Sequence, residues 1–178
     1  MASISSVAAR RPKAPFVARV VMRLNTLIAG VPYAVIAIGL RLLMARQFFP
    51  DGQSKIEGPV LPFNWLRIAY EITLPTDLSD AALQAMQIPY ADLPFSATKA
   101  AYIFTYAEFV LPICLVIGFA TRFAALGLLV MTLLLQLYVA PHLWWSTHVY
   151  WTAILMVLMT VGPGTISIDA LIRYFYEK

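Results

Sequence analysis

A single carboxylate stands inside one of the long apolar runs of this sequence. Glu108 lies well within residues 100–120, which are otherwise almost entirely apolar and long enough to span a lipid bilayer. A carboxylate in hydrocarbon costs roughly 2.5–3.5 kcal/mol even on insertion scales that give low values. Glu108 therefore needs a partner, a water-filled cavity or a bound ligand. Because a buried carboxyl group can also exchange protons, Glu108 is a candidate catalytic residue.

A count of helical depth favours Arg41 as that partner. Arg41 lies eight residues before Phe49, where the first apolar run ends, and Glu108 lies eight residues after Ala100, where the second begins. At 1.5 Å per residue both would lie about 12 Å below the same membrane surface. We therefore predict an Arg41–Glu108 ion pair and take Arg41 as the second catalytic candidate. A purely structural pair is the alternative, because buried ion pairs can serve specificity alone.

Polar and aromatic side chains collect near this depth and at the mouth above it. By the same count Gln136 lies about 9 Å below the surface. Flat aromatic walls that lead to a polar niche suit a quinone, whose carbonyl oxygens accept hydrogen bonds. The alternative is that the aromatic residues are interfacial anchors, since Trp and Tyr near the end of a span usually are. The predicted substrate-binding residues are Gln136, His142, Trp144, Trp145 and Lys55.

Lys55 allows two interpretations, because it lies just outside the first apolar run. It could attract an anionic substrate, or it could form an ion pair with Asp51 or Glu57. Since both carboxylates lie within four residues of Lys55, we favour the ion pair.

Composition indicates that the candidate residues are positioned by membrane helices. The chain is 61% hydrophobic and 12% charged, against about 25% charged residues in soluble domains. Its mean hydropathy is +0.75. These values and the apolar runs predict an all-α fold, a four-helix transmembrane bundle within a single membrane domain at residues 15–178. The predicted spans are at about 24–49, 100–120, 123–140 and 145–161.

Residues 50–98 form the one sizeable predicted segment outside the membrane. Two basic residues stand against six acidic ones in this segment, an excess typical of the extracytoplasmic side. The Pro50-Asp51-Gly52 sequence predicts a turn that ends the first span. Residues 81–86, preceded by capping residues, predict a short helix.

Basic residues near the N-terminus predict the orientation in the membrane. Five of the 13 basic residues precede the first span, at positions 10, 11, 13, 19 and 23. Such a cluster favours the cytoplasmic side, so residues 1–14 are predicted to be a flexible cytoplasmic tail. Four spans return the C-terminus to the same side. Because the charge is placed for topology, the net charge of +4 does not indicate a nucleic-acid partner.

Several kinds of chemistry are excluded by residue counts. A single cysteine, Cys114, rules out a thiol–quinone oxidoreductase that works with cysteine pairs. Only two histidines are present, six residues apart, so no metal or haem is predicted unless a partner chain supplies ligands. A transporter for small solutes or lipids is disfavoured, because its polar groups would lie at the membrane midplane rather than in the outer half.

An ordered set of short motifs resembles the DoxX family of small bacterial membrane proteins, which have four predicted spans. The set covers about residues 38–170, whereas the extra residues at about 59–78 depart from the family pattern. The matching pieces are Arg41, Phe48, Gly52 and Lys55; Ile88-Pro89; Glu108; Gly118-Phe-Ala-Thr-Arg122-Phe-Ala-Ala; His142-Leu-Trp144; and Gly162-Pro-Gly-Thr-Ile-Ser-Ile-Asp169.

The resemblance implies a bacterial inner-membrane protein that works with other subunits. Members resemble the membrane subunit of a thiosulfate:quinone oxidoreductase, and others resemble membrane components of oxidoreductase or detoxification assemblies. We therefore expect a membrane subunit of a redox assembly that binds a quinone as cofactor, with Glu108 and Arg41 taking part in proton exchange. The alternative is a non-catalytic anchor or scaffold that recruits an oxidoreductase or another partner through residues 50–98. Besides the lipid bilayer, other protein subunits are the expected partners, and a homo-oligomer is left open.

Overall fold

Long apolar helices account for most of the protein. We describe it from a computed structural model, which covers residues 17, 18, 20, 25, 32–65 and 68–176, with the backbone alone at 63–65 and 68–70. The chain divides into two units, Met1–Pro32 and Tyr33–Lys178. The predicted tail at 1–14 and nearly all of the predicted first span before residue 32 lie outside the described residues. The helices of the second unit are α1 (Tyr33–Lys55), α2 (Asp80–Gln87), α3 (Ala97–Ile117), α4 (Thr121–Leu134), α5 (Val149–Val161) and α6 (Ile168–Tyr176).

Three of the described helices are long and apolar enough to cross a membrane. They are α1 with 23 residues, α3 with 21, and α4 together with the π-helical turn Leu135–Val139, which makes 19. Helix α5 has 13 residues and is preceded by a second π-helical turn, Trp144–His148. The protein is therefore mostly helical with three candidate spans, and the structure does not confirm the fourth span of the predicted bundle.

Helix α1 continues past the point where the sequence predicts a turn. Pro50, Asp51 and Gly52 all lie inside it, and it ends only at Lys55. A proline removes one backbone N–H donor. In a membrane helix this loss is tolerated, because groups on neighbouring helices can hydrogen-bond the carbonyl that is left without a donor. The predicted turn at Pro50-Asp51-Gly52 is therefore wrong. The last turn of α1 packs on α3, and this tertiary contact outweighs the local turn preference.

Two small antiparallel ribbons replace part of the predicted all-α architecture. Strand β1 (Ile56–Glu57) pairs with β4 (Asp77–Leu78), and β2 (Val60–Trp65) pairs with β3 (Ile68–Thr73). The β2–β3 ribbon lies within the residues 59–78 that depart from the family pattern. The prediction of an all-α fold is therefore wrong for this segment.

Hydrogen bonds tie the ribbons to the end of α1. Gln53 donates its side-chain amide to the Thr73 carbonyl at 3.0 Å and accepts from the Thr73 backbone N–H at 2.8 Å. The Ser79 N–H donates to the Lys55 carbonyl at 3.0 Å. Ser79 also caps α2, since its hydroxyl accepts from the Ala82 N–H at 3.2 Å, as the sequence predicts. These bonds hold the last turn of α1, and with it Lys55, in one position.

Small side chains let the long helices pack closely. Helix α1 packs mainly against α3, and α4 against α5, while α3 also contacts α4. Alanines with at most 3% of their surface exposed lie on these helices, and small buried residues are usual where membrane helices pack. These alanines are Ala37, Ala100, Ala101, Ala124 and Ala125.

The two ends of the helical bundle differ in how the helices are connected. At one end Gly118 caps α3 with a φ of 71° and leads through Ala120 into α4. The carboxylate of Asp169 on α6 accepts from the backbone N–H of Ala120 at 2.7 Å and of Thr121 at 2.9 Å. We call this the hairpin end. The opposite end, with strands β1–β4 and α2, is the ribbon end.

Candidate functional site

Lys55 is the partner of the buried carboxylate. Glu108 has 3% of its side chain exposed, and its Oε2 lies 2.6 Å from Nζ of Lys55. Lys55 is 15% exposed, so both charges are largely withdrawn from solvent. At this distance the contact is a charge-assisted hydrogen bond, which offsets part of the cost of placing either charge inside the bundle.

Close approach of two helix backbones makes this pair possible. A Cβ built on Gly52 would lie 2.9 Å from the carbonyl carbon of Glu108 and 3.0 Å from the Phe109 nitrogen. Real Cβ atoms do not come this near to a backbone, so glycine at position 52 is what lets α1 reach α3 here. Lys55 follows one turn later on α1 and extends its side chain over Glu108.

Asp51 connects the pair to the surface. Nζ of Lys55 also lies 2.6 Å from Oδ2 of Asp51, which is 58% exposed and one helical turn earlier on α1. The predicted ion pair of Lys55 with Asp51 or Glu57 is therefore confirmed, and the structure shows Asp51 as the partner. One ammonium thus stands between an exposed carboxylate and a buried one. Such an arrangement can pass a proton from the surface inward, because each transfer spans a single hydrogen bond.

Tyr90 packs near this network from the loop between α2 and α3. Its ring is 6% exposed and meets Phe104 edge-on at 5.4 Å between ring centroids. Burial raises the pKa of Tyr90 to about 12; the Lys55 charge lowers this pKa, and the charges of Glu108 and Asp51 raise it. The hydroxyl of Tyr90 thus stays protonated under all ordinary conditions.

Thr105 is a further polar group near Glu108 that finds no partner. It is fully buried one turn before Glu108 on α3, and its hydroxyl makes no hydrogen bond among the described residues. Pro112, one turn after Glu108, has no N–H to donate to the Glu108 carbonyl. Among the described residues the Thr105 hydroxyl is therefore without a partner, and the Glu108 carbonyl lacks its usual helical donor.

Arg41 does not pair with Glu108, so the predicted Arg41–Glu108 ion pair is wrong. Nη2 of Arg41 donates to the Ile166 carbonyl at 2.9 Å, and a Cβ built on Gly118 would overlap Nη1 of Arg41. Gly118 follows Glu108 by ten residues on α3, or about 15 Å of helix. The predicted depth assumed that the span ended at Phe49. Because α1 continues to Lys55, Arg41 lies deeper and belongs to the hairpin end.

The other predicted binding residues lie between α4 and α5, in the π-helical turns Leu135–Val139 and Trp144–His148 and the residues that join them. Oε1 of Gln136 accepts a hydrogen bond from Nδ1–H of His148 at 2.6 Å, and the Gln136 amide nitrogen donates to the Pro141 carbonyl at 2.7 Å. His148 is 4% exposed and packs on Trp151, whereas the sequence favoured His142 as the functional histidine. His142 and Trp145 are exposed, and Trp144 is half-buried. In the described part of the chain, Gln136 and Glu108 share no hydrogen bond.

An apolar groove runs between α1 and α3 beside the pair. It has a volume of about 500 Å³, within the usual range for small-molecule sites. Phe49 and Pro50 lie at its ribbon-end side, where the Phe49 ring stands 5.4 Å from that of Phe109. Pro112, Ile113 and Leu42 continue the wall. The groove therefore begins next to Asp51 and within one helical turn of Glu108.

In the part of the chain that the structure describes, no three His, Cys, Asp or Glu side chains lie close enough together to hold a metal ion.

The family model for DoxX matches residues 36–141, more than half of the chain. The chain belongs to the DoxX family. Neither a comparison with curated proteins nor one with solved structures gives a match. The stretch matched to DoxX contains Lys55, Glu108 and the groove between α1 and α3. Membership and the apolar helices together show a multi-pass membrane protein in contact with lipid.

Sequence reasoning missed Lys55 as the partner of Glu108, although it had picked out both residues. The available signal was Gly52, which stands three residues before Lys55 and marks a close helix approach. Gly52 and Lys55 both belong to the DoxX-like motif at the end of α1. Only the turn assumed at Pro50 placed Lys55 outside the span.

Proposed function

We propose that this DoxX-family protein is a membrane subunit of a redox assembly that exchanges protons with a bound quinone. The observation that supports this best is the buried Glu108–Lys55 pair beside an apolar groove of about 500 Å³. Quinone rings are flat, apolar and membrane-soluble, and their carbonyl oxygens take up protons on reduction. A groove open to lipid next to a titratable pair meets both needs.

In this proposal the chain supplies binding and proton transfer. Reduction of a quinone to a quinol takes two electrons and two protons. The electrons come from a partner oxidoreductase subunit, and the protons enter through Asp51, Lys55 and Glu108. Phe49 and Pro112 hold the ring within one helical turn of Glu108. Gln136, His142, Trp144 and Trp145, the other predicted binding residues, stay predictions.

We further propose that the ribbon end lies outside the cytoplasm and the hairpin end inside, in a bacterial inner membrane. The acidic excess at residues 50–98 and the basic residues near the N-terminus support this orientation. With the predicted fourth span at residues 145–161, this orientation places both termini in the cytoplasm. Proton entry through Asp51 would then come from the outer side.

Quinone content of the purified protein tests the proposal. We expect co-purified quinone per chain, extracted and measured by mass spectrometry, to fall several-fold in Glu108→Gln and in Ile113→Trp, which fills the groove. Ile103→Trp is the matched control, because Ile103 lies on the same helix, is 57% exposed and does not line the groove. Equal quinone content in the wild type and all three variants would contradict the proposal.

The alternative, a non-catalytic anchor or scaffold, has its own supporting observation. Val60 and Leu61 are 49% and 50% exposed on the β2–β3 ribbon, and Ile88 is 87% exposed after α2. These apolar side chains lie outside the helices that can span a membrane, and such exposure is typical of contact surfaces.

The ribbon can be shortened while its hydrogen bonds to α1 are kept. Val60 is paired with Thr73, and Thr73 holds both hydrogen bonds to Gln53, so residues 61–72 can be replaced by a two-residue glycine linker. If the chain is an anchor, this deletion abolishes co-purification of a partner subunit, whereas Glu108→Gln retains it. Loss with Glu108→Gln and retention with the deletion would exclude the anchor.

A further inference from the structure

Arg41 is a buried cation whose hydrogen-bonding capacity is mostly unused. Arg41 is 3% exposed, and among the described residues its side chain makes a single hydrogen bond, from Nη2 to the Ile166 carbonyl. Nε and Nη1 have no partner among the described residues. A guanidinium group carries five N–H donors and stays charged under all conditions, so it requires a counter-charge when it is withdrawn from water.

The carboxylate of Asp169 does not meet this requirement. Asp169 is close enough to interact with Arg41 through its charge, but its oxygens bind the backbone N–H groups of Ala120 and Thr121 and make no direct ion pair with Arg41. No carboxylate oxygen lies within 4 Å of Arg41 in the described chain, where the recorded ion pairs are those of Lys55. An anion from outside the chain would complete the environment of Arg41.

A cavity reaches Arg41 at the hairpin end. It has a volume of about 830 Å³ and lies between α1, the last turn of α3, the loop at 165–167 and α6. Most of its wall is apolar, formed by Ile38, Val116, Ile117 and Leu171 among others, while Thr165 and Ser167 add hydroxyl groups. Arg41 is the one cation in this wall as the structure describes it. The ligand that fits such a wall has an anionic end and an apolar body.

Helix α6 places the cavity at the level of the membrane surface. Leu171, Ile172 and Phe175 are 55%, 41% and 69% exposed, while Asp169 and Arg173 supply charges to the same short helix. A helix of this kind lies in the interface between lipid headgroups and acyl chains. A cavity beneath it is therefore next to lipid headgroups.

We propose that this cavity binds an anionic phospholipid, whose phosphate pairs with Arg41 and whose acyl chains lie along Ile38, Ile117 and Leu171. Arginine suits this role because its charge is permanent and Nη2 carries a second N–H, which can donate a charge-assisted hydrogen bond to a phosphate oxygen. The site is distinct from the Lys55–Glu108 pair, which lies at the height of the opposite end of α1. Gly118 leaves the room that the guanidinium occupies, since any Cβ there would overlap it.

Lipid retention by the full-length protein tests this site. The protein is reconstituted in phosphatidylcholine nanodiscs, phosphatidylglycerol is titrated in, and bound lipid is measured by native mass spectrometry. We expect about one phosphatidylglycerol per chain and at least tenfold weaker binding in Arg41→Gln, since a charged hydrogen bond is lost. Arg41→Lys keeps the charge and should fall between the two. Arg122→Gln removes the same charge from an exposed site at the hairpin end and is the matched control.

A second variant keeps the test decisive if Arg41→Gln does not fold. Ala170→Phe narrows the cavity and leaves Arg41 in place, and it should also weaken lipid binding tenfold. Inorganic phosphate, added at about tenfold the phosphatidylglycerol concentration, should not displace the bound lipid. Equal binding by the wild type, Ala170→Phe and Arg41→Gln, or displacement by free phosphate, would overturn the proposal.

Discussion

Nζ of Lys55 lies 2.6 Å from Oε2 of Glu108, although 53 residues separate them along the chain. The contact joins the last residue of α1 to the middle of α3. It also places an ammonium between a buried carboxylate and the exposed carboxylate of Asp51. The stability of the helix pair and the proposed proton exchange both depend on this one contact.

Removing the ammonium should destabilise the protein more than removing the whole pair. Lys55→Met leaves the Glu108 carboxylate buried without a partner, and such losses typically cost about 3–5 kcal/mol. In the double variant Lys55→Met/Glu108→Met, no buried charge remains, so part of the stability should return. Thermal unfolding in detergent measures both. Additive losses in the double-mutant cycle would show that the two residues do not interact in the protein.

Replacing Gly52 with alanine should be destabilising. The new Cβ would lie 2.9 Å from the Glu108 carbonyl carbon, so α1 and α3 would have to separate, at a cost of roughly 1–3 kcal/mol. Gly39 provides the matched control on the same helix, since nothing lies within 4 Å of a Cβ built there. Gly39→Ala should be neutral or stabilising by about 0.5–1 kcal/mol. Equal unfolding temperatures for the two variants would argue against a close helix approach at Gly52.

Asp169→Ala should loosen the hairpin end. The carboxylate accepts from the Ala120 and Thr121 N–H groups at the start of α4, and loss of such a cap typically costs about 0.5–2 kcal/mol. Hydrogen exchange at Thr121 and the following turn should accelerate. Asp92→Ala, which removes an exposed carboxylate at the ribbon end, is the control and should leave this exchange unchanged. Unaltered protection in Asp169→Ala would refute the capping role.

Stability at high pH should depend on Tyr90. Its pKa is raised to about 12 in the folded protein from an ordinary value of 10.0. Because the folded-state value is the higher one, this contribution is fully present below pH 10 and is lost as the pH rises from 10 towards 12. The loss should amount to at most roughly 2–3 kcal/mol. Tyr90→Phe should show a smaller fall in unfolding temperature over this interval than the wild type does; an identical fall in both proteins would disprove it.

The choice of Glu108, Lys55 and Arg41 as notable residues followed from the sequence, but the partners of Glu108 and Arg41 did not. A charged residue in an apolar run is visible from composition alone, because the cost of burying it does not depend on the fold. The partner depends on where each helix ends and how it is rotated. A proline, an aspartate and a glycine in succession favour a turn, yet packing on α3 kept α1 helical to Lys55. Because α1 is longer than predicted, Arg41 lies at the level of the hairpin end and not at the level of Glu108.

Apolar run length by itself determined that this is a multi-pass membrane protein, since the thickness of a bilayer fixes how many apolar residues a spanning helix needs. The motif order likewise determined the DoxX family. Only the tertiary structure decided which charges meet, because a single glycine contact between α1 and α3 sets their separation and places Lys55 over Glu108. The β2–β3 ribbon also became known only from the structure, because the residues of one strand do not specify the strand with which it pairs.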